Sequence, residues 1–150
     1  MKILFICTGN TCRSPMAEGI ARKIADEIGL DCEISSAGLF VNDIDGVAQN
    51  AVDALYEIGV DISKHEPTQL TPEMIMSADF IVPMTDSHKQ TLLSLGCVDE
   101  EKIKMLPENV PDPFMQSLDT YRGCRDMLCD YVKILLQSLT ERENDDKDAE

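Results

Sequence analysis

The sequence predicts an α/β protein: a doubly wound, four-stranded parallel sheet with helices on both faces. Three observations predict it. Short apolar runs alternate with helix-period segments along the chain. Glycines stand where the periodic segments stop. The first apolar run leads through a dense polar loop, CTGNTCRSP (residues 7–15), directly into a helix pattern.

Each element has its own signal. KILFIC reads as a short buried strand. Ser14 and Pro15 then read as N-cap and first helical position. Met16, Ile20, Ile24 and Ile28 recur every four residues, one face of a helix that closes at Gly29. CEISSAG is a second strand ending at Gly38, and Ala48 to Ile58 a second helix ending at Gly59. DISKHEPTQL connects to a short helix, Thr71 to Ser77, with Thr71 as cap and Pro72 at its first position. DFIVPM is a third strand, Ser87 to Leu95 a helix and KIKML a fourth strand. PENVPDPF is a Pro-rich loop. A final helix from Asp119, read as its cap, to Leu139 carries Tyr121, Met127, Leu128, Val132 and Leu135 on one side. Residues 1–140 are expected to form one domain. The charged stretch ERENDDKDAE, residues 141–150, lacks an apolar anchor and is expected to be a disordered tail.

Composition narrows the function. The chain has 150 residues, 43% of them hydrophobic, and a net charge of −15. That charge argues against a nucleic acid or an anionic membrane surface as partner. A local cationic pocket can still hold a phosphorylated ligand. No window is long and apolar enough to span a membrane, and the N-terminus has no secretory h-region, so a cytoplasmic location is expected. Six cysteines (7, 12, 32, 97, 124, 129) fit it as thiols. None forms a CxxC pair and only two histidines exist, so no metal or other cofactor is expected.

In a doubly wound sheet, ligands bind beyond the carboxyl ends of the strands. CTGNTCRSP leaves the first strand there, and PENVPDPF leaves the last, so both should share one rim. Gly9 and Asn10 tolerate left-handed backbone, which lets successive N–H groups of Thr8, Gly9, Asn10, Thr11 and Cys12 turn inward around an anion. The following helix adds its positive end. Arg13 can hold two oxygens of a phosphoryl group. Cys7 at the mouth of this nest meets groups that favour a thiolate, a nucleophile aimed at bound phosphorus.

CTGNTCRSPMAE, with DPF near the C-terminal end, closely resembles the low-molecular-weight protein-tyrosine-phosphatase family, over Lys2 to about Leu139. The resemblance implies a flavodoxin-like fold and a two-step, metal-free protein phosphatase acting on a phosphorylated protein. By similarity, Cys7 forms a phosphocysteine, Arg13 clamps the phosphoryl oxygens, and Asp112 is general acid and then general base. Asn10, Ser14, Ser36 and His65 match a network that supports the loop, and Ser14 can also donate to the thiolate. Ser36 and His65 equally fit ordinary roles, a strand-end hydroxyl and a loop histidine. Cys12 matches a thiol that related enzymes oxidise reversibly with the nucleophile; it is otherwise a small buried side chain. Thr11 stands where many tyrosine-specific relatives carry Ile or Leu. In this the chain resembles the protein-arginine-phosphatase subgroup, which implies phosphoarginine as the favoured substrate and phosphotyrosine as the alternative. Phe40 and Phe114 are candidate pocket walls. Thioredoxin-coupled arsenate reductases share the loop but need two further cysteines after the third strand, where this chain offers only Cys97. A non-catalytic phospho-binding module would lack the nucleophile or the acid.

Overall fold

The computed structural model describes residues 1–42, 44 and 46–148. Three strands, β1 (Lys2–Cys7), β2 (Glu33–Gly38) and β3 (Phe80–Pro83), form a parallel sheet in the order β2-β1-β3. Cys7 pairs with Gly38 and Ile6 with Pro83, so the strands end together at one rim. The helices are α1 (Arg13–Ile28), α2 (Gln49–Tyr56), α3 (Pro72–Ser77), α4 (Asp86–Ser94) and α5 (Leu118–Asp148).

β1 is central, and its alternation builds two cores. Ile3, Phe5 and Cys7 pack with α1, α2 and α5 on one face. Leu4 and Ile6 pack with Ile75 of α3 and Leu92 of α4 on the other. A strand buried on both faces has to be apolar at every position, which is why KILFIC reads as a continuous run rather than an alternation. α1 ends where expected: Gly29 is left-handed (φ 70°) and returns its N–H to the carbonyls of Ala25 and Asp26. Thr71 caps α3 by accepting from the Met74 amide, with Pro72 following.

Three expectations are corrected. The sheet has three strands, not four. KIKML reaches β3 and Lys104 donates to the Ile81 carbonyl at 2.9 Å, but the contact stops at a single Ile81–Ile103 bridge. The next ladder bond needs an N–H from residue 83, which is proline and has none. Ser14 does not cap α1. The cap position is Cys12, without a side-chain cap bond, because the Ser14 hydroxyl is engaged inside the loop. At α5, Ser117 rather than Asp119 accepts from the first-turn amide of Thr120. α5 is described as far as Asp148, its last turns exposed and carrying a Lys147–Glu143 pair one turn apart. Glu, Arg and Lys are good helix formers, and they extend a helix already nucleated by the core. The end of that stretch, 149–150, lies outside the described residues, as do 43 and 45 in the loop LFVNDIDG. No described helix is long and apolar enough to cross a membrane.

Candidate active site

The loop from Thr8 to Cys12 joins β1 to α1 at the carboxyl rim. It presses on the end of β2 so closely that a side chain at Gly38 would meet the Thr8 carbonyl oxygen at 2.8 Å and the Asn10 nitrogen at 3.0 Å. Only glycine fits that approach.

Asn10 is the hub. It is fully buried and left-handed (φ 56°), a conformation Asn tolerates better than most residues. Its Nδ2 donates to Ser14 Oγ (2.7 Å) and Ser36 Oγ (2.9 Å). Its Oδ1 accepts from the Thr68 amide (2.9 Å) and stands 3.0 Å from His65 Nε2, which also reaches the Asn10 carbonyl at 3.1 Å. The Ser36 hydroxyl donates in turn to Glu18 Oε1 at 3.0 Å. The three supporting residues expected from sequence thus converge on one amide whose polar atoms are all used. A buried, fully satisfied network of this kind holds a loop in one shape.

Cys7 sits under that loop. Its Sγ is 2.9 Å from Ser14 Oγ and accepts from the Asn10 amide at 3.3 Å. Because Ser14 Oγ already accepts from Asn10, its hydroxyl proton is left to point at the sulfur. Two donors converging on one sulfur are what a thiolate needs. Arg13 opens α1, with its side chain almost wholly buried. Its guanidinium donates to the Val110 carbonyl at 3.0 Å and stands 3.7 Å from Asp112 Oδ2. Asp112 is half-exposed at the rim; its Oδ1 accepts from the Phe114 amide at 3.1 Å, which orients the carboxylate.

Cys7, Thr8, Gly9, Thr11, Cys12, Arg13, Phe40, Asp112 and Phe114 line one cavity of about 180 Å³, together with Asn42. That is smaller than the roughly 300–1,000 Å³ of pockets for drug-sized ligands, and suits a phosphoryl group with the first atoms of its leaving group. Every residue expected at the pocket from the sequence lies on it or, for Asn10, Ser14, Ser36 and His65, in the network behind it.

Sequence reading missed several partners. Cys12 Sγ is 3.2 Å from the hydroxyl of Tyr121 on α5. Burial pushes the Cys12 thiol above its ordinary value, so it is protonated at neutral pH, and burial likewise pushes Tyr121 upward. A tyrosine in an apolar helix stripe signals a hydroxyl in need of a partner. Glu18, Thr68 and Val110 carried no signal of their own, since distant segments bring them in.

His88 was also missed. It is buried on α4, with Nε2 2.9 Å from Thr8 Oγ1 and Nδ1 3.0 Å from Thr85 Oγ1. Burial, then the nearby charge of Arg13, lowers its pKa to about 4. The folded protein therefore keeps His88 neutral where the unfolded chain, with a value of about 6.5, has taken up a proton. Stability should fall as pH drops from about 6.5 towards 4. Between pH 7.5 and 5 the loss from this group is about 2 kcal/mol. Urea unfolding of wild type and His88→Gln at both pH values tests it: the variant should lose that much less on acidification, and equal losses would remove His88 as the cause.

Comparison with known proteins agrees with the geometry. Residues 2–145 match the profile of the family described as low molecular weight phosphotyrosine protein phosphatase. The chain is 38% identical over 146 residues to the protein-arginine-phosphatase of Bacillus subtilis strain 168, covering 93% of this chain and 97% of that protein. It is 40% identical over 130 residues to the low molecular weight protein-tyrosine-phosphatase PtpB of Staphylococcus haemolyticus, covering 81% and 88%. Among solved structures, a YwlE arginine phosphatase mutant with a phosphorylated active site serine superposes with a TM-score of 0.88 at 37% identity, over 93% of this chain and 96% of that one. A match of this length, on a chain that folds as those relatives do, places the protein in the low molecular weight phosphotyrosine protein phosphatase family of hydrolases.

Proposed function

We propose that the protein removes phosphate from phosphoarginine in proteins through a phosphocysteine intermediate. The observation that carries this reading is the shared cavity: the Cys7 thiol, the Arg13 guanidinium and the Asp112 carboxylate face one space of phosphoryl size. In the first step the Cys7 thiolate attacks phosphorus and the bond to the leaving group breaks. Asp112 gives its proton to the departing atom, a guanidine nitrogen for phosphoarginine. In the second step a water attacks the phosphocysteine, Asp112 takes the water's proton, and inorganic phosphate leaves with the thiolate regenerated. Arg13 and the loop N–H groups stabilise the phosphoryl oxygens throughout. No metal enters this scheme. The proposed setting is the cytoplasm, where six free cysteines stay reduced.

Thr11 supports phosphoarginine. It lines the cavity, with its hydroxyl 3.5 Å from Cys12 Sγ. A β-branched hydroxyl here offers a hydrogen bond to a guanidinium or to the attacking water, where Ile would offer only methyls. One observation favours phosphotyrosine instead: Phe40 and Phe114 flank the same cavity, and aromatic walls suit a phenyl ring. The test is kcat/KM for a phosphoarginine protein and a phosphotyrosine peptide, with wild type and Thr11→Ile. Wild type should prefer phosphoarginine, and the substitution should shift the ratio at least about tenfold towards phosphotyrosine. A wild-type preference for phosphotyrosine would overturn the assignment.

A further inference from the structure

A second cavity of about 300 Å³ adjoins the first, and its lining is mostly apolar. Leu39, Leu70, Pro72, Ile75 and Leu95 contribute to it, and Phe40 is a wall of both cavities.

The shared wall is rigid. The Phe40 amide donates to the Thr8 carbonyl at 2.9 Å, and the Leu39 amide to the Cys7 carbonyl at 3.0 Å. Gln69 clamps both neighbours of Phe40: its Oε1 accepts from the Val41 amide (2.9 Å) and its Nε2 donates to the Leu39 carbonyl (2.8 Å). Yet Phe40 is 69% exposed. Burying such a ring on folding would have gained free energy, and the backbone is tied down so that it is not buried. An aromatic held open between two cavities is an anchor for something that spans them.

The groove also offers a backbone. Gln69 forms a single parallel bridge with Gly38, made by the Thr68 carbonyl (2.8 Å) and the Leu70 amide (2.9 Å). In such a bridge the central residue turns its own N–H and C=O away from the partner strand. Those of Gln69 have no protein partner among the described residues, and Gln69 is exposed. This is an unpaired sheet edge on the groove wall, and it distinguishes an extended polypeptide from a lipid or a small apolar molecule.

We propose that this groove docks an extended segment of the phosphoprotein substrate, next to the residue whose phosphoryl group enters the catalytic cavity. An apolar side chain of that segment fills the groove, its backbone pairs with the Gln69 edge, and the chain crosses Phe40. Continuity of the two cavities through Phe40 selects the substrate over other partners. The proposal rests on the phosphatase reading of the first cavity but not on which amino acid is phosphorylated.

The test uses short peptides phosphorylated on Arg or Tyr, with Leu placed singly at each of the three positions on either side in an otherwise small, polar background. Turnover of p-nitrophenyl phosphate, which is too small to reach the groove, is followed in parallel. In wild type, Leu at one or two positions should raise kcat/KM about tenfold, chiefly through KM. Leu95→Glu, at a half-exposed position, and Cys97→Glu, at an exposed one, should abolish that gain while aryl phosphate turnover stays unchanged. Aryl phosphate hydrolysis without any effect of Leu position, or a Leu gain that survives both variants, would overturn the docking proposal and leave the phosphatase reading standing. A dimer that Leu95→Glu dissociates would also overturn it, assigning the groove to a second copy of the chain. Loss of wild-type aryl phosphate turnover is the separate signature of failure in the catalytic reading.

Discussion

Cys7→Ser is expected to remove turnover by a factor of about 10⁴ or more, and to leave the fold intact. The substitution changes one atom. Ser14 Oγ and the Asn10 amide, which meet the sulfur at 2.9 and 3.3 Å, can serve a serine oxygen equally well, so the loop should keep its shape. What is lost is the nucleophile: sulfur attacks phosphorus far more readily than an alkyl hydroxyl does. Phosphate binding should survive, because the groups that hold the phosphoryl oxygens, Arg13 and the loop N–H groups, are untouched. The measurement pairs aryl phosphate turnover with acid-quench trapping of the covalent intermediate. Wild type should show a phosphoenzyme formed in a burst, and Cys7→Ser no burst and no steady-state release of phosphate. A variant retaining a tenth of the activity would sink the phosphocysteine mechanism.

Asp112→Asn is the second large effect, about 10²–10⁴-fold for a substrate with a basic leaving group. The reason lies in position. Asp112 stands at the rim, half-exposed, with one oxygen held by the Phe114 amide and the other 3.7 Å from Arg13. It lines the same cavity as the buried Cys7. Asparagine keeps the shape and the bond from Phe114 but cannot deliver a proton. A leaving group that departs without a proton, such as p-nitrophenolate, should therefore suffer much less than an alkyl or guanidine one. Equal losses across a leaving-group series would argue that Asp112 positions the loop and transfers no proton.

Most of the site was legible because it is local. Cys7 to Ser14 are consecutive, and a strand, a turn of permissive residues and a helix leave few ways to arrange them. The rim rule for doubly wound sheets put CTGNTCRSP and the Pro-rich loop on one rim, by way of a fourth strand that the fold reduces to a single bridge; the resemblance singled out Asp112, and only the fold sets it 3.7 Å from Arg13. Ser36 and His65 were less secure from sequence, since a serine at a strand end and a histidine in a loop carry no periodicity. In the fold both meet Asn10. The same limit explains the errors. Ser-Pro ahead of a helix is an ordinary capping signal, and it failed because the Asn10 amide and the Cys7 sulfur compete for the same hydroxyl. KIKML has strand composition. Whether it could pair depended on Pro83, in a different segment, and on which of that segment's amides faced it.

The order of elements, the α/β class and the permissive loop CTGNTCRSP are properties of short segments, set by local backbone preference and by the alternation of apolar residues. They could be read one stretch at a time. Four features depend on what long-range packing sets side by side: the Ser36, His65 and Thr68 contacts of Asn10, the Cys12–Tyr121 contact, the neutral His88 behind Thr8, and the groove beyond Phe40. Each joins residues from separate elements, and its energy exists only once two core faces have closed around β1. Hydrogen bonding and burial act through distance, which the linear order of residues does not contain.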